Sequence, residues 1–382
     1  MRRLSLLVVA TVGVVGIAAV VATAQRSRIV AFRVVASNLD NPRKIFVGAR
    51  GTIYVAEAGS GGDDKCWTDG GAKTCIGLSG SITSIAAGHE TRVVTGLPSA
   101  ASTDGRDAEG AAATIVRGNR YDVLLGDGRV SAAGRKQLGR DGAIAGDLVS
   151  TAPGTVSPHV LANFGAFEAS HDPDHGDGPG AAAGDPSLDS NPYAMTAYRG
   201  GFAVVDAAGN DLLWLSAAGA VSVLAVFPIQ IEHVSAGVVG KKPEALKVQS
   251  VPTTVAVGPD GALYVGELTG FPFEVGTARI WRVDPGHKLR LYASGFTNIS
   301  DIAFEGPNLL VLEIAADGLR DARSPGALIR VAPDGKRSVI LSKGLVSPTG
   351  LAVGNGSIYI SNDGIYPGSG PGPHGEVISI PA

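Results

Sequence analysis

The sequence predicts an all-β fold, a six-bladed β-propeller with four-stranded blades. Three observations point to it: one hairpin pattern recurs along the chain, the composition favours short strands and tight turns, and a single strand is left over at each end. Apolar residues make up 45% and charged residues 18% of the 382 positions, which is enough for a packed core and excludes a disordered chain. The 54 glycines and 22 prolines lack the three-residue period of collagen. Alongside so much Val, Ile and Ala they mark strands joined by turns. No long amphipathic helix pattern separates the strands, so a two-domain α/β organisation is excluded.

The repeat opens with "NPRKIFVGARGTIYVAEAG" at 41–59, an apolar strand, a Gly-containing turn and a second strand. The same pattern returns at 251–270, 299–318, 347–364 and 191–210, and in eroded form at 106–128. Within 251–270, Pro259-Asp260-Gly261 is good tight-turn chemistry: Pro sets φ, Asp caps locally and Gly accepts positive φ. A second hairpin follows five of the copies, at 80–97, 146–164, 210–227, 278–296 and 326–345. Two hairpins make a four-stranded blade. The sixth outer hairpin is missing, because after 347–364 only "GEVISI" at 375–380 remains, whereas "RIVAFRVVASNL" at 28–39 has no partner of its own. The N-terminal strand is therefore expected to complete the last blade, giving a propeller over 28–382. At roughly 60 residues per blade the repeat exceeds the ~40–50 of compact propellers. The surplus falls in inserts at 59–79, 129–145, 165–190, 228–250 and 365–374, expected to project from one face.

Residues 1–24 read as a secretory signal peptide: Arg2 and Arg3, an uncharged run from Leu4, and a small-x-small end at Ala22-Thr23-Ala24. Its apolar run is long enough to serve instead as an uncleaved N-terminal membrane anchor. Either way the protein is expected to be exported, secreted or periplasmic. Loss of Arg2 and Arg3 reduces 32 basic residues to 30 against 35 acidic, a mature charge of −5. That balance excludes a general nucleic-acid binder and offers nothing to an anionic membrane surface. The only cysteines, Cys66 and Cys75, are expected to pair in an oxidising compartment.

Alignment of the copies places Glu57, Asp206, Glu267, Glu313 and Asn362 at one strand-end position, with Gly126 there in the eroded copy. These five are candidate ligand-binding residues, and the four acids Glu57, Asp206, Glu267 and Glu313 are candidate metal ligands. If they converge, their oxygens suit Ca²⁺, which takes six to eight. If they do not, each ties down its own blade. A second candidate metal set is Asp172, Asp174 and Asp177 in the insert "SHDPDHGDGPG", although the spacing departs from the EF-hand pattern. No catalytic residues can be assigned: Gly-x-Ser-x-Gly, His-Glu-x-x-His and Gly-x-x-x-x-Gly-Lys are all absent.

"IYVAEAGSGG", "VVDAAGNDLL", "VGPDGALYVGELTGFPF" and "PTGLAVG" with "IYISNDG" resemble the ScyD/ScyE family of secreted proteins, over nearly the whole mature chain. The resemblance implies a six-bladed propeller related to NHL-type repeats and no particular activity. The leading functional reading is a secreted or cell-envelope binding module, a monomer, for a small molecule or protein partner. The alternative is a Ca²⁺-dependent hydrolase of the lactonase/gluconolactonase kind. A third, a quinone-dependent sugar dehydrogenase, would need a channel-facing histidine, with His159 and His233 as candidates.

Overall fold

The computed structural model describes residues 31–382 apart from 70–71, 106, 128–131, 156, 176–188, 239, 322 and 366–373. The signal or anchor at 1–24 and Asp177 lie outside the described residues.

In chain order the elements are β1 (Arg33–Leu39), β2 (Pro42–Val47), β3 (Ile53–Glu57), β4 (Lys65–Asp69), β5 (Ala72–Ala86) and β6 (His89–Ser102). Then come β7 (Ala111–Arg117), β8 (Arg120–Leu125), α1 (Ala132–Leu138), β9 (Asp147–Thr151), β10 (His159–Asn163) and α2 (Phe164–His171). Blade 3 follows as β11 (Pro192–Tyr198), β12 (Gly201–Asp206), β13 (Asp211–Leu215) and β14 (Val221–Val226). A separate hairpin, β15 (Gln230–Val234) with β16 (Glu244–Val248), precedes β17 (Pro252–Val257), β18 (Leu263–Glu267), β19 (Ala278–Val283) and β20 (Leu289–Phe296). The last elements are β21 (Ile299–Glu305), β22 (Asn308–Glu313), β23 (Ala327–Val331), β24 (Arg337–Leu341), β25 (Gly350–Gly354), β26 (Ser357–Asn362) and β27 (Gly375–Pro381).

These strands form six antiparallel blades, and the sixth has the order β25-β26-β27-β1. The N-terminal strand closes the ring as expected: β1 pairs β27 with Arg33 opposite Ser379 and Val34 opposite Ile378. The innermost strands touch in the cycle β2, β7, β11, β17, β21, β25 and back to β2. Apolar residues from adjacent blades fill the six gaps between them. Between blades 3 and 4, for example, Val205, Leu212 and Phe227 pack on Val255, Val265 and Trp281. The gap that carries ring closure, between blades 6 and 1, holds Ala36, Leu39, Val55, Ile85, Tyr359 and Val377. Burial of these alternating faces is the main stabilising term, at about 25 cal/mol per Å² of apolar surface removed from water.

Every long insert leaves from the same end of the ring, where the inner strands begin and the second strands finish. Residues 59–79 are more than a loop. They extend blade 1 into a hairpin, β4 with the front of β5, in which Cys66 faces Cys75 across the ladder and is joined to it by a disulfide. Closure of so short a loop stabilises the hairpin locally by roughly 2–3 kcal/mol. Insert 129–145 carries α1, insert 165–190 begins within α2, and insert 228–250 is the β15–β16 hairpin. Among the described residues, no helix is long and apolar enough to cross a membrane.

Each inner strand except β25 begins with a register irregularity, as between Pro42 and Ile45, Ala111 and Ala113, Pro192 and Ala194, Pro252 and Thr254, and Ile299 and Asp301. Such bulges re-aim the side chains within them. The residue before these strands turns through positive φ in three blades, at Asn41, Val251 and Asn298, and in blade 6 Ser347 does so three residues ahead of β25. Asparagine tolerates that conformation, but a β-branched residue is strained by it. Val251 sits at φ 51°. Val251→Asn, which installs the residue that blades 1, 3 and 5 carry here, is expected to raise stability by about 1 kcal/mol. Chemical denaturation of the two proteins side by side checks it, and a loss of stability would contradict the assignment of strain.

Candidate functional site

The five aligned strand-end residues are all buried and all engaged within their own blades. Glu57 Oε2 accepts the Asp40 N–H at 2.7 Å and the Arg92 guanidinium at 2.7 Å, and its Oε1 accepts the Ser81 hydroxyl at 2.9 Å and the Thr83 hydroxyl. Glu267 accepts Ser250 Oγ at 2.6 Å, Trp281 Nε1 at 2.5 Å and Arg279 Nε at 2.8 Å. Glu313 accepts the Thr297 N–H at 2.7 Å, and Asn362 Oδ1 accepts the Val346 N–H at 2.8 Å. Asp206 Oδ1 accepts the N–H groups of Asn191, Ala208 and Gly209 at 2.6–3.1 Å, while Oδ2 accepts Ser190 Oγ at 2.6 Å. Four of these acceptors hold a backbone N–H from the segment that enters their own inner strand. The position is thus a latch between the end of the second strand and the start of the first.

The latch residues do not come together as metal ligands. Among the described residues, the one group of three or more Asp, Glu, His or Cys ligand atoms mutually within 4.8 Å is Glu168, Asp172 and Asp174. The register also shifts the alignment in blade 2. Pro192 faces Asp206 and Pro252 faces Glu267, but Ala111 faces Leu125, so the eroded copy carries buried Leu125 there rather than Gly126.

What does converge is a set of residues at the starts of the inner strands of blades 1, 3, 5 and 6. Lys44 of blade 1 donates to the carbonyls of Ser300 and, at 3.3 Å, Thr349, and its ammonium lies 5.3 Å from the centre of the Tyr193 ring. Blades 1, 3, 5 and 6 meet there, which places the Lys44 head on the channel axis. Asp301 pairs with it at 3.4 Å and also accepts Thr254 Oγ1 at 2.5 Å and the Leu351 N–H at 2.7 Å. Burial pushes Lys44 down, opposed by Asp301. Beside it Arg43, also buried, donates to the carbonyls of Gly364 and, at 2.5 Å, Ala108. Above this plug opens a cavity of about 200 Å³ lined by Arg43, Tyr193, Asn191, Asp107, Glu109 and Ile365 together with small residues. His159 and His233 are exposed, on β10 and on the β15–β16 hairpin, and neither lines this cavity.

The second feature lies off the axis, where the connection leaving blade 2 meets blade 3. Asn163 caps α2 by accepting the Ala166 N–H at 2.7 Å. The helix ends at Asp172, which adopts positive φ and bonds back to the Glu168 carbonyl. That turn gathers Glu168, Asp172 and Asp174 next to the β12–β13 turn of blade 3. A Cβ at Gly209 would come within 3.2 Å of Glu168 Oε2, and Asn210 donates to Asp174 at 2.9 Å. Directly across the ladder from Asp206 stands Asp211, fully buried, with no hydrogen-bond partner on either carboxylate oxygen. Burial and the neighbouring Asp206, Glu168 and Asp174 raise Asp211 well above the usual carboxylate range. Burial, then Asp206, Asp174, Asp172 and Asp189, raise Glu168 to about 8. Every charged group that shifts either one is another carboxylate. Two carboxylates 4 Å apart repel by about 4 kcal/mol in a partly screened protein environment.

Other blades do not repeat this arrangement. Opposite their latch residues stand Ser81, Ala327 and Glu376, the last accepting from Asn362 at 2.9 Å. In blade 2 the residue equivalent to Asp211 is Asp147, which has Arg135 at 3.8 Å. Sequence reading missed Glu168 and Asp211, and also Arg43, Lys44 and Tyr193. The last three were marked only by their place just after the repeat's proline.

No family model and no curated protein matches the sequence. Among solved structures the chain is similar to regucalcin, a calcium-binding protein from Agrobacterium tumefaciens, at 11% identity and a TM-score of 0.52 over 92% of this chain and 93% of that one. It is also similar to a putative oxidoreductase (glucose dehydrogenase) from Thermus thermophilus, at 15% identity and 0.51 over 92% and 99%. A luciferin-regenerating enzyme matches at 9% and 0.50 over 92% and 95%. These likenesses show the propeller fold.

The axial pair and Asp147 each give an expected outcome. Truncating one partner of a buried ion pair costs about 3–5 kcal/mol, because the other charge is stranded. Asp301→Ala should therefore destabilise more than the double replacement Lys44→Met with Asp301→Leu, and a double-mutant cycle by urea unfolding measures the difference. Asp147 is raised to about 7 by burial, against the opposing pull of Arg135. The folded state then keeps a proton that the unfolded chain releases, so stability is lost as pH rises from about 4 through 7. Asp147→Asn should be nearly neutral at pH 4 and stabilising at pH 8, by on the order of 2 kcal/mol, in thermal melts at the two pH values.

Proposed function

We propose that the protein is an exported binding module whose ligand is a small polar molecule held at the mouth of the propeller channel. The observation that carries this reading is the cavity above the Lys44–Asp301 plug. It is lined by the Arg43 and Tyr193 side chains from the channel wall and by Asp107 and Glu109 from the connection entering blade 2. A volume of about 200 Å³ lies below the 300–1,000 Å³ common for drug-sized ligands, so the occupant is small or only part of a larger one. Two carboxylates at the rim favour groups that donate hydrogen bonds, hydroxyl or ammonium, and the alanines and Ile365 favour an apolar side to the same molecule. Export rests on the N-terminal reading and agrees with the Cys66–Cys75 disulfide, which suits an oxidising compartment. The resemblance of the sequence to the ScyD/ScyE family, which implies no particular activity, fits the same reading.

The calcium-dependent hydrolase is the alternative. The likeness of fold to regucalcin supports it, but an axial Ca²⁺ would need acids that this propeller spends on its own blades. In our reading Ca²⁺ enters as a structural ion held away from the axis. The dehydrogenase reading loses its candidate bases, because His159 and His233 are exposed outside the cavity.

Calorimetric titration with myo-inositol and with ethanolamine, one a hydroxyl donor and the other an ammonium donor, tests the mouth. The reading expects one of them to bind and Glu109→Gln to weaken that binding at least tenfold. Failure of both to bind at millimolar concentration would contradict it. Hydrolysis of gluconolactone that EDTA abolishes would move the assignment to the enzyme.

A further inference from the structure

We infer that Glu168, Asp172 and Asp174 form a binding site for a hard divalent cation of the Ca²⁺ class, off the channel axis, with Asp206 and Asp211 adding negative charge beside it. The inference does not depend on what the channel mouth binds.

Four observations on this chain lead to it. The three ligand oxygens already lie within 4.8 Å of one another, a spacing that one ion can bridge. Their donor chemistry is all oxygen, which suits Ca²⁺ or Mg²⁺ and not zinc. The buried polar groups around them are also left unsatisfied by the protein. Glu168 is 2% exposed, Asp172 Oδ1 is buried without a partner, and both oxygens of fully buried Asp211 are unpartnered. Buried carboxylates are normally paired or ligate a metal. Finally, the charge at the site is one-sided. Blade 3 sets Asp206 opposite Asp211 on neighbouring strands, an arrangement that destabilises a sheet, whereas Asp147 at the matching place in blade 2 is offset by Arg135.

Calcium fits better than magnesium. Two of the three ligands sit in a turn after α2, and Ca²⁺ accepts the irregular geometry of a turn, whereas Mg²⁺ demands a near-ideal octahedron. A bound ion would brace the turn after α2, where Asp174 already accepts a hydrogen bond from Asn210 of the β12–β13 turn at 2.9 Å. The site borders the channel mouth through Asp206, whose Oδ1 holds the N–H of cavity-lining Asn191 at 2.6 Å.

The experiment is a thermal melt of the full exported chain in EDTA and in millimolar Ca²⁺ or Mg²⁺, paired with calorimetry of Ca²⁺ binding. Ca²⁺ is expected to raise Tm and bind at one site, with Kd about 10⁻⁴–10⁻³ M as in extracellular calcium modules. Mg²⁺ should give a smaller rise. Glu168→Gln should keep or raise the Tm in EDTA, because repulsion is relieved, while losing the Ca²⁺ shift and weakening binding at least tenfold. That EDTA melt shows that the variant folds. Asp211→Asn should likewise melt no lower in EDTA and show a reduced Ca²⁺ shift. Glu313→Gln, which alters a latch residue of blade 5, should keep the full Ca²⁺ shift. The inference is overturned if wild type gains nothing from Ca²⁺, which would mean that Glu168 and Asp211 are simply protonated. It is equally overturned if Glu168→Gln keeps the shift, or if Glu313→Gln abolishes it.

Discussion

A carboxylate buried at the end of a strand must find donors, and much of this propeller is arranged around that requirement. The second strand of most blades ends on an acid or amide inside the protein, where an unpaired charge is expensive to hold. Blades 1, 3, 4, 5 and 6 meet the requirement with nearby partners: a backbone N–H from the entering segment, hydroxyls, or a guanidinium. The latch so formed fixes where each inner strand starts. In five blades that start is irregular, and the irregularity turns side chains toward the axis.

The channel follows from this geometry. With the latch positions occupied by their own blades, the residues one or two places further on converge instead, and they close the axis with Lys44, Asp301 and carbonyls from opposite sides of the ring. A buried pair of this kind adds little to stability compared with an apolar core. Its consequence is positional: it sets the floor of the cavity that Arg43 and Tyr193 line. The small, charged recess is framed by the starts of the inner strands of blades 1, 2 and 3 and by the connection entering blade 2.

The repeat carried most of the fold in legible form. A turn such as Pro259-Asp260-Gly261 declares itself, and the unpaired strand at each end announced the closure of blade 6 that the β1–β27 ladder provides. The site was much less legible. Alignment found Glu57, Asp206, Glu267, Glu313 and Asn362 because repetition is visible in a sequence, but direction is not. Whether an acid points to the axis or to its own blade depends on a bulge of one residue. The same bulge hid Arg43 and Tyr193, which read only as whatever follows a proline. Asp172 and Asp174 were found by composition, whereas Glu168 sat in a helix that Gly165 and the short apolar run did not advertise. Asp211 was invisible for a different reason: its burden appears only once Asp206 is known to lie across the ladder from it.

Blade 3 satisfies its latch at Asp206 but sets beside it Asp211, which has no hydrogen-bond partner, and Glu168, and the charged groups that shift these two are all carboxylates. Diffraction from crystals grown with Ca²⁺ tests this most directly. The account predicts density for one ion between Glu168, Asp172 and Asp174, with oxygens at about 2.3–2.6 Å, and none on the channel axis. An ion held on the axis by Glu57, Glu267 or Glu313, with the blade 3 cluster unliganded, would contradict it.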